Sequence, residues 1–181
     1  KKSCTILIDE SFLDFCDKLS SIKYLETYDK LYILKSMTKF YSSAGIRVGT
    51  IVSTQQNIEK LKEFEPMWKL SQFDSNYLQA ALDDKLFKNL SKELNVKNKV
   101  ELENILKESD LIEEIFESSA NYLLVKLSIL NAKEFQELLK PYKIMLRDCS
   151  NFDYLNERFV RIAVKSSSAN EIFKKALKEI C

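Results

Sequence analysis

The sequence predicts an α/β fold that passes into α+β, on three observations. Short apolar runs of strand type flank a loop that holds the chain's only two glycines, Gly45 and Gly49. A helical stretch follows, from Ser75 to about Lys107, with one or two breaks. Beyond it the pattern reads strand, strand, helix, strand, strand, helix, which makes an α+β lobe.

The first run, Cys4 to Ile8, ends in Asp9 and Glu10. A strand this apolar needs neighbours on both faces, and few residues precede it, so the reading is of a fragment of a longer chain. Ser20 to Asp29 has the character of a linker or short helix. Lys30 to Lys35 and Val48 to Ser53 read as the next two strands. The segment between them, Ser36 to Gly49, is therefore a strand-to-strand loop in which the backbone freedom of glycine is expected to be used. Thr54 is expected to cap a helix to about Phe64, with Ile58, Leu61 and Phe64 on one face and Pro66 as its stop. Trp68 then packs at a domain junction. Ser75 is the next expected cap, and Leu82, Leu86, Leu90, Leu94, Leu102, Ile105 and Leu106 form a stripe that reads as core.

In the last lobe, Leu111 to Glu117 and Ala120 to Leu127 read as strands around Ser118 and Ser119. Asn131 caps a helix to about Leu139, which Pro141 ends. Tyr142 to Leu146 and Phe159 to Val164 are the remaining strands. Ser168 caps the closing helix, with Ile172, Phe173, Ala176, Leu177 and Ile180 facing inward.

Composition narrows the chemistry. Apolar residues make up 45% and charged residues 30%, and 28 basic against 27 acidic side chains leave a net charge of +1. No basic field favours nucleic acid. No stretch approaches the roughly 20 apolar residues that cross a bilayer, so no membrane is expected and a reducing cytoplasm is the default. Cys4, Cys16, Cys149 and Cys181 lack the spacing of a metal or redox pair, so no metal is expected, and Cys149 reads as a packed thiol. The sequence contains no histidine, which removes Ser-His-Asp and Cys-His catalysis. Acid–base work must rest on Lys, Asp, Glu, Tyr or Cys. In the glycine segment, Ser36, Lys39 and Arg47 offer donors for an anion and one possible nucleophile.

Ser36-x-x-Lys39 followed by Gly45-x-Arg47-x-Gly49 resembles the cofactor-lysine segment of fold-type I pyridoxal-phosphate enzymes of the class I/II aminotransferase family. Ser36-x-Thr38-Lys39-Phe40-Tyr41 and Asp9-Glu10-x-Phe12-x-Asp14-Phe15 resemble its threonine-phosphate decarboxylases and histidinol-phosphate aminotransferases, the former more closely. The resemblance implies the C-terminal strands of a mixed sheet of the large domain, residues 1–75, followed by an α+β small domain, residues 76–181. It implies Lys39 as the lysine that carries pyridoxal 5′-phosphate, Ser36 and Arg47 on its phosphate, and Asp9 on its ring nitrogen. Many aminotransferases of this family have a tyrosine where Phe12 stands. Arg161 matches the family's substrate-carboxylate arginine, Arg147 a phosphate or carboxylate contact, and Asn121 a substrate-side residue. The partners implied are a phosphorylated amino acid or amine, the N-terminal half of the same enzyme, and a second copy in a homodimer. The fragment alone is expected to bind cofactor poorly and to be inactive.

A reading from another class rests on Ser36-x-x-Lys39, Ser119-x-Asn121 and Lys165-Ser166-Ser167, which occur in the order of the motifs of serine enzymes of penicillin-binding type. Against it, the third motif lacks its glycine, and Ser36 follows a strand.

Overall fold

In the computed structural model, which describes residues 4–180, the chain forms two compact units, Lys1–Lys92 and Glu93–Cys181. The first is built on a three-stranded mixed sheet of order β1-β2-β3, with β1 at Ile6–Asp9, β2 at Leu31–Ser36 and β3 at Gly49–Val52. β1 runs parallel to β2 and β3 antiparallel to it. Leu31 and Ile33 bury one face of β2, whereas Ile6 and Leu7 of β1 are exposed. The predicted linker is a 3₁₀ helix, Ser21–Glu26, whose cap Ser20 accepts from the Ile22 N–H.

Helix α1, Gln55–Lys62, starts at Thr54 as expected, the Thr54 hydroxyl accepting from the Asn57 N–H. Its buried residue is Asn57, whose Nδ2 donates to the Asp29 carbonyl at 2.6 Å and to Ser53 Oγ at 2.8 Å. The helix is thus tied down by an amide and two oxygens, and Phe64, expected on the inner face, is exposed. Trp68 is also exposed, contrary to the expected packing at a junction.

Helix α2, Gln72–Asp83, is capped by Ser71 and not by Ser75. Ser71 and Asp74 satisfy each other's backbone N–H groups, and this reciprocal pair outcompetes a lone serine. Helix α3, Lys85–Lys107, follows after a break at Asp84. The leucine stripe divides: Leu102, Ile105 and Leu106 are buried, whereas Leu82, Leu86, Leu90 and Leu94 are all at least half exposed. Periodicity reports that residues share a helix face and says nothing of what covers that face.

The second unit holds an antiparallel sheet of order β4-β5-β7-β6, formed by Ile112–Ile115, Tyr122–Leu127, Phe159–Ala163 and Arg147–Asp148. Its core gathers Leu102 and Leu106 of α3, alternate residues Leu123, Val125 and Leu127 of β5, and Val160 and Ile162 of β7. Helices α4, Ala132–Leu139, and α5, Ser167–Ile180, close it with Phe135, Leu139, Phe173, Ala176 and Leu177. Asn131 caps α4 in a reciprocal pair with Glu134. Three expectations are corrected. Residues 142–146 form no strand, because the chain leaves α4 through a 3₁₀ turn, Lys140–Tyr142, with Lys143 in the left-handed region at φ 58°. The strand begins only at Arg147. Helix α5 begins at Ser167, and Ile172 lies on its exposed side, one step out of phase with Phe173 and Ala176. Among the described residues no helix is long and apolar enough to cross a membrane.

Candidate active site

Lys39 stands in the loop between β2 and β3, where the sequence places it. Its neighbours Thr38 and Phe40 are buried while Lys39 is exposed, so the loop is anchored on both sides of the amine. The anchor is aromatic: Phe40 and Tyr41 meet Phe15 and Phe87 through ring contacts 5.1–6.1 Å apart, with Phe12 and Met37 packed beside them. Ser43 Oγ donates to the Met37 carbonyl at 2.6 Å and Tyr77 Oη to the Tyr41 carbonyl at 2.9 Å, which fixes the loop's course. Burial, and after it the Asp14 charge, pushes the Tyr41 phenol above its ordinary value, so it stays neutral and is no base.

The amine of Lys39 donates to Ser36 Oγ at 3.3 Å and lies 5.5 Å from the centre of the Phe12 ring. Ser36 Oγ is 2.7 Å from Thr38 Oγ1. Asp9 closes β1, where its carboxylate accepts the Ser11 N–H at 2.8 Å. The hydrogen bonds from Ser11, and after them the Lys39 charge, hold the Asp9 carboxyl below its ordinary value. Asp9, Ser36 and Lys39 therefore share one end of the sheet. Arg47 reaches the same loop differently from expectation. Neither glycine adopts a positive φ; Arg47 itself does, at 57°, and Ser42 at 53°. The Arg47 guanidinium donates to the Ala44 carbonyl at 3.3 Å and makes no ion pair among the described residues.

Gly49 is needed for closeness, not for freedom. A Cβ there would lie 2.8 Å from the Lys35 carbonyl oxygen, a backbone atom that cannot step aside. Gly49 faces Ser36 in the β2–β3 ladder. Gly49→Ala is therefore expected to cost about 1–3 kcal/mol of stability by forcing the strands apart beside Ser36. Gly45, with open space around it, is expected to tolerate alanine within about 0.5 kcal/mol. Equal midpoints of thermal unfolding for the two variants would refute this.

Next to Asp9, Glu10 is buried and accepts from Ser20 Oγ at 2.7 Å and the Ser21 N–H at 2.6 Å, with Lys35 Nζ at 3.1 Å. Burial pushes its carboxyl up, and the Ser21, Ser20 and Lys35 contacts more than reverse this, leaving it below the ordinary value. With a folded value below the unfolded one, its stabilisation is complete above the ordinary glutamate range, about pH 4.3, and is lost as pH falls through the folded value. The thermal midpoint of the wild type is expected to fall more steeply on acidification than that of Glu10→Gln. Parallel slopes would show that the carboxylate contributes nothing.

In the second unit the structure brings Arg147 and Arg161 together. They are direct partners across β6 and β7. Val160 and Ile162 point into the core, so Arg161 and its partner lie on the opposite face of the sheet. Arg161 lies over the Tyr122 ring at 4.6 Å, and Arg147 donates to Asn151 Oδ1 at 3.1 Å and sits 5.7 Å from the Phe152 ring. Asn121 precedes β5, where its carbonyl accepts the Val164 N–H at 2.8 Å. Strand alternation puts it on the Leu123 side, away from the arginine pair.

The aminotransferase class I and II family model matches residues 1–180. The chain belongs to the class I and II aminotransferases. It is 30% identical over 178 residues to a protein of Caldanaerobacter subterraneus that carries a provisional threonine-phosphate decarboxylase name, covering 96% of this chain and 48% of that one. It is 31% identical over 176 residues to the histidinol-phosphate aminotransferase of Methanocaldococcus jannaschii, covering 97% and 47%. The crystal structure of the histidinol-phosphate aminotransferase from Clostridium acetobutylicum superposes with a TM-score of 0.89 at 29% identity, over 97% of this chain and 54% of that one. The chain thus spans about half the length of the curated relatives it matches.

Family membership confirms the resemblance and the mixed-sheet and α+β architecture, and it removes the acyl-serine reading, since Ser36 ends a strand. Aminotransferases of this class are pyridoxal-phosphate enzymes, and the donor set here suits that group: an amine, an ionised carboxylate, two hydroxyls and a guanidinium that has no ion-pair partner among the described residues. Cys149 is buried, its thiol pushed up by burial, with Arg161 and Arg147 only partly opposing this, so it stays protonated as a packed thiol would. Sequence reasoning missed Thr38, Glu10 and Tyr122. Thr38 contacts Ser36 two residues away and was open to a local reading, whereas the contacts of Glu10 with Lys35 and of Tyr122 with Arg161 are long-range.

Proposed function

We propose that this chain is the C-terminal half of a pyridoxal-phosphate enzyme that acts on a phosphorylated amino acid or amine, and that the reaction is decarboxylation of threonine phosphate, in cobalamin biosynthesis. One observation carries the substrate class: Arg147 and Arg161 stand side by side on a sheet face. Two forked cations so placed suit a ligand with two anionic groups, a carboxylate and a phosphate. Residues 1–75 would end the cofactor domain, and 76–181 would form the small domain.

When bound, pyridoxal phosphate supplies the electron sink that lets a bond at the substrate's Cα break. Lys39 would hold the cofactor through Nζ and, when free, carry the proton at Cα, a task for which this chain offers no histidine. Ser36, Thr38 and Arg47 donate to the phosphate. Asp9, kept ionised by Ser11, keeps the ring nitrogen protonated. Arg161 and Arg147 hold the substrate's anions, and Asn121, on the other side of the sheet, has no part in this reading. The N-terminal half of the enzyme and a homodimer complete the site in the cytoplasm, with neither nucleic acid nor membrane as partner. The isolated chain binds cofactor poorly and turns nothing over.

The second reading is a histidinol-phosphate aminotransferase, which the 31% identity to the archaeal relative favours. Phe12 weighs toward the decarboxylase: its ring lies near the Lys39 amine and has no phenol to donate. The full-length protein, given threonine phosphate, is expected to release carbon dioxide. Oxo-acid-dependent amino transfer from histidinol phosphate would establish the second reading, and neither activity would overturn both.

A further inference from the structure

Glu10 takes no part in the chemistry above, yet it is the most heavily tied carboxylate near the site. Its side chain is 5% exposed. Ser20 and Ser21 bind it to the 3₁₀ helix and Lys35 binds it to β2. Its own N–H donates to the Leu34 carbonyl at 2.8 Å, which extends the β1–β2 ladder one residue past Asp9. Burying a carboxylate is expensive, and an apolar side chain could fill such a space at lower cost. What the ionic clamp adds is a fixed geometry.

Consecutive strand residues point to opposite faces. Glu10 meets Lys35 on the face that Leu31 and Ile33 bury, whereas Asp9, paired with Leu34, shares the face of Ser36. We infer that Glu10 is a positioning residue for Asp9: clamped on the buried face, it sets the direction in which Asp9 is presented on the other. This rests on the reading of Asp9 as the partner of the cofactor's ring nitrogen.

The test uses the full-length protein with pyridoxal phosphate as the probe. Wild type, Glu10→Gln and Lys35→Met are compared by cofactor affinity, by the absorption band of the bound cofactor, and by the thermal midpoint of the cofactor-free protein. Glu10→Gln is expected to weaken affinity about tenfold, the lower end of what removing a group that orients a direct ligand costs. Its band should move in the same direction as that of Asp9→Asn, and Lys35→Met should move it the same way by less. A lowered midpoint with an unmoved band in both variants would make Glu10 a stability element only and overturn the inference. Should Glu10→Gln fail to fold, Lys35→Met decides by the same criterion. A wild type that binds no cofactor would overturn the cofactor reading and this inference with it. A wild type that binds, beside variants with unchanged bands, overturns the inference alone.

Discussion

Lys39→Ala in the full-length protein is expected to abolish the phosphopyridoxyl label that borohydride fixes on the peptide around residue 39, and to lower turnover at least about a thousandfold. Both effects follow from one atom. Lys39 Nζ is the amine held by Ser36 Oγ, in a loop whose flanks Thr38 and Phe40 are buried. Because Lys39 itself is exposed, the substitution should change stability by no more than about 0.5 kcal/mol, so lost labelling cannot be ascribed to unfolding. Peptide mapping after reduction checks the site, and unfolding curves check the control. The present chain, reduced under the same conditions, is expected to show little label at Lys39, since the half that it lacks relative to its relatives would supply further cofactor contacts. Labels scattered over surface lysines in the full-length wild type would show that the glycine-flanked loop is no cofactor site.

The loop was legible because its chemistry is local. Ser36, Thr38 and Lys39 lie within four residues at a strand end, and that spacing alone places one hydroxyl under the amine. The capping of α1 by Thr54 and of α4 by Asn131 was legible for the same reason, since a cap and the N–H groups it satisfies are sequence neighbours. What escaped was whatever depends on a partner far along the chain. Glycine freedom was expected of Gly45 and Gly49, but the left-handed residue is Arg47, and Gly49 serves the approach of β3 to Lys35, fourteen positions away in sequence. The stripe from Leu82 to Leu94 has the right period for a core and is exposed, because burial depends on what another segment provides. Residues 142–146 look like a strand by composition, yet the left-handed turn at Lys143 delays the strand to Arg147. That delay sets the register that brings Arg147 opposite Arg161.

Removing one member of that pair is expected to separate affinity from stability. Like charges directly opposite each other across antiparallel strands repel, so in the ligand-free protein Arg147→Gln should leave the thermal midpoint unchanged or raise it, by up to about 1 kcal/mol in stability. The Arg161 guanidinium stays over Tyr122 in that variant, so the sheet face keeps its packing. With substrate the sign reverses. A charge-assisted hydrogen bond contributes about 1.5–3 kcal/mol, so either Arg147→Gln or Arg161→Gln should raise the KM of the full-length enzyme for its phosphorylated substrate roughly 10- to 150-fold. The double variant should cost less than the sum of the two, because one ligand with two anionic groups couples the sites. Steady-state kinetics of the four proteins, beside their unfolding curves without ligand, check each part. A single variant that is destabilised by more than about 1 kcal/mol and keeps its KM would assign the pair to the fold. Repulsion without ligand and attraction with it are one statement about two adjacent cations, and on the proposed reading such a site would give up stability in the empty protein to hold a doubly anionic substrate.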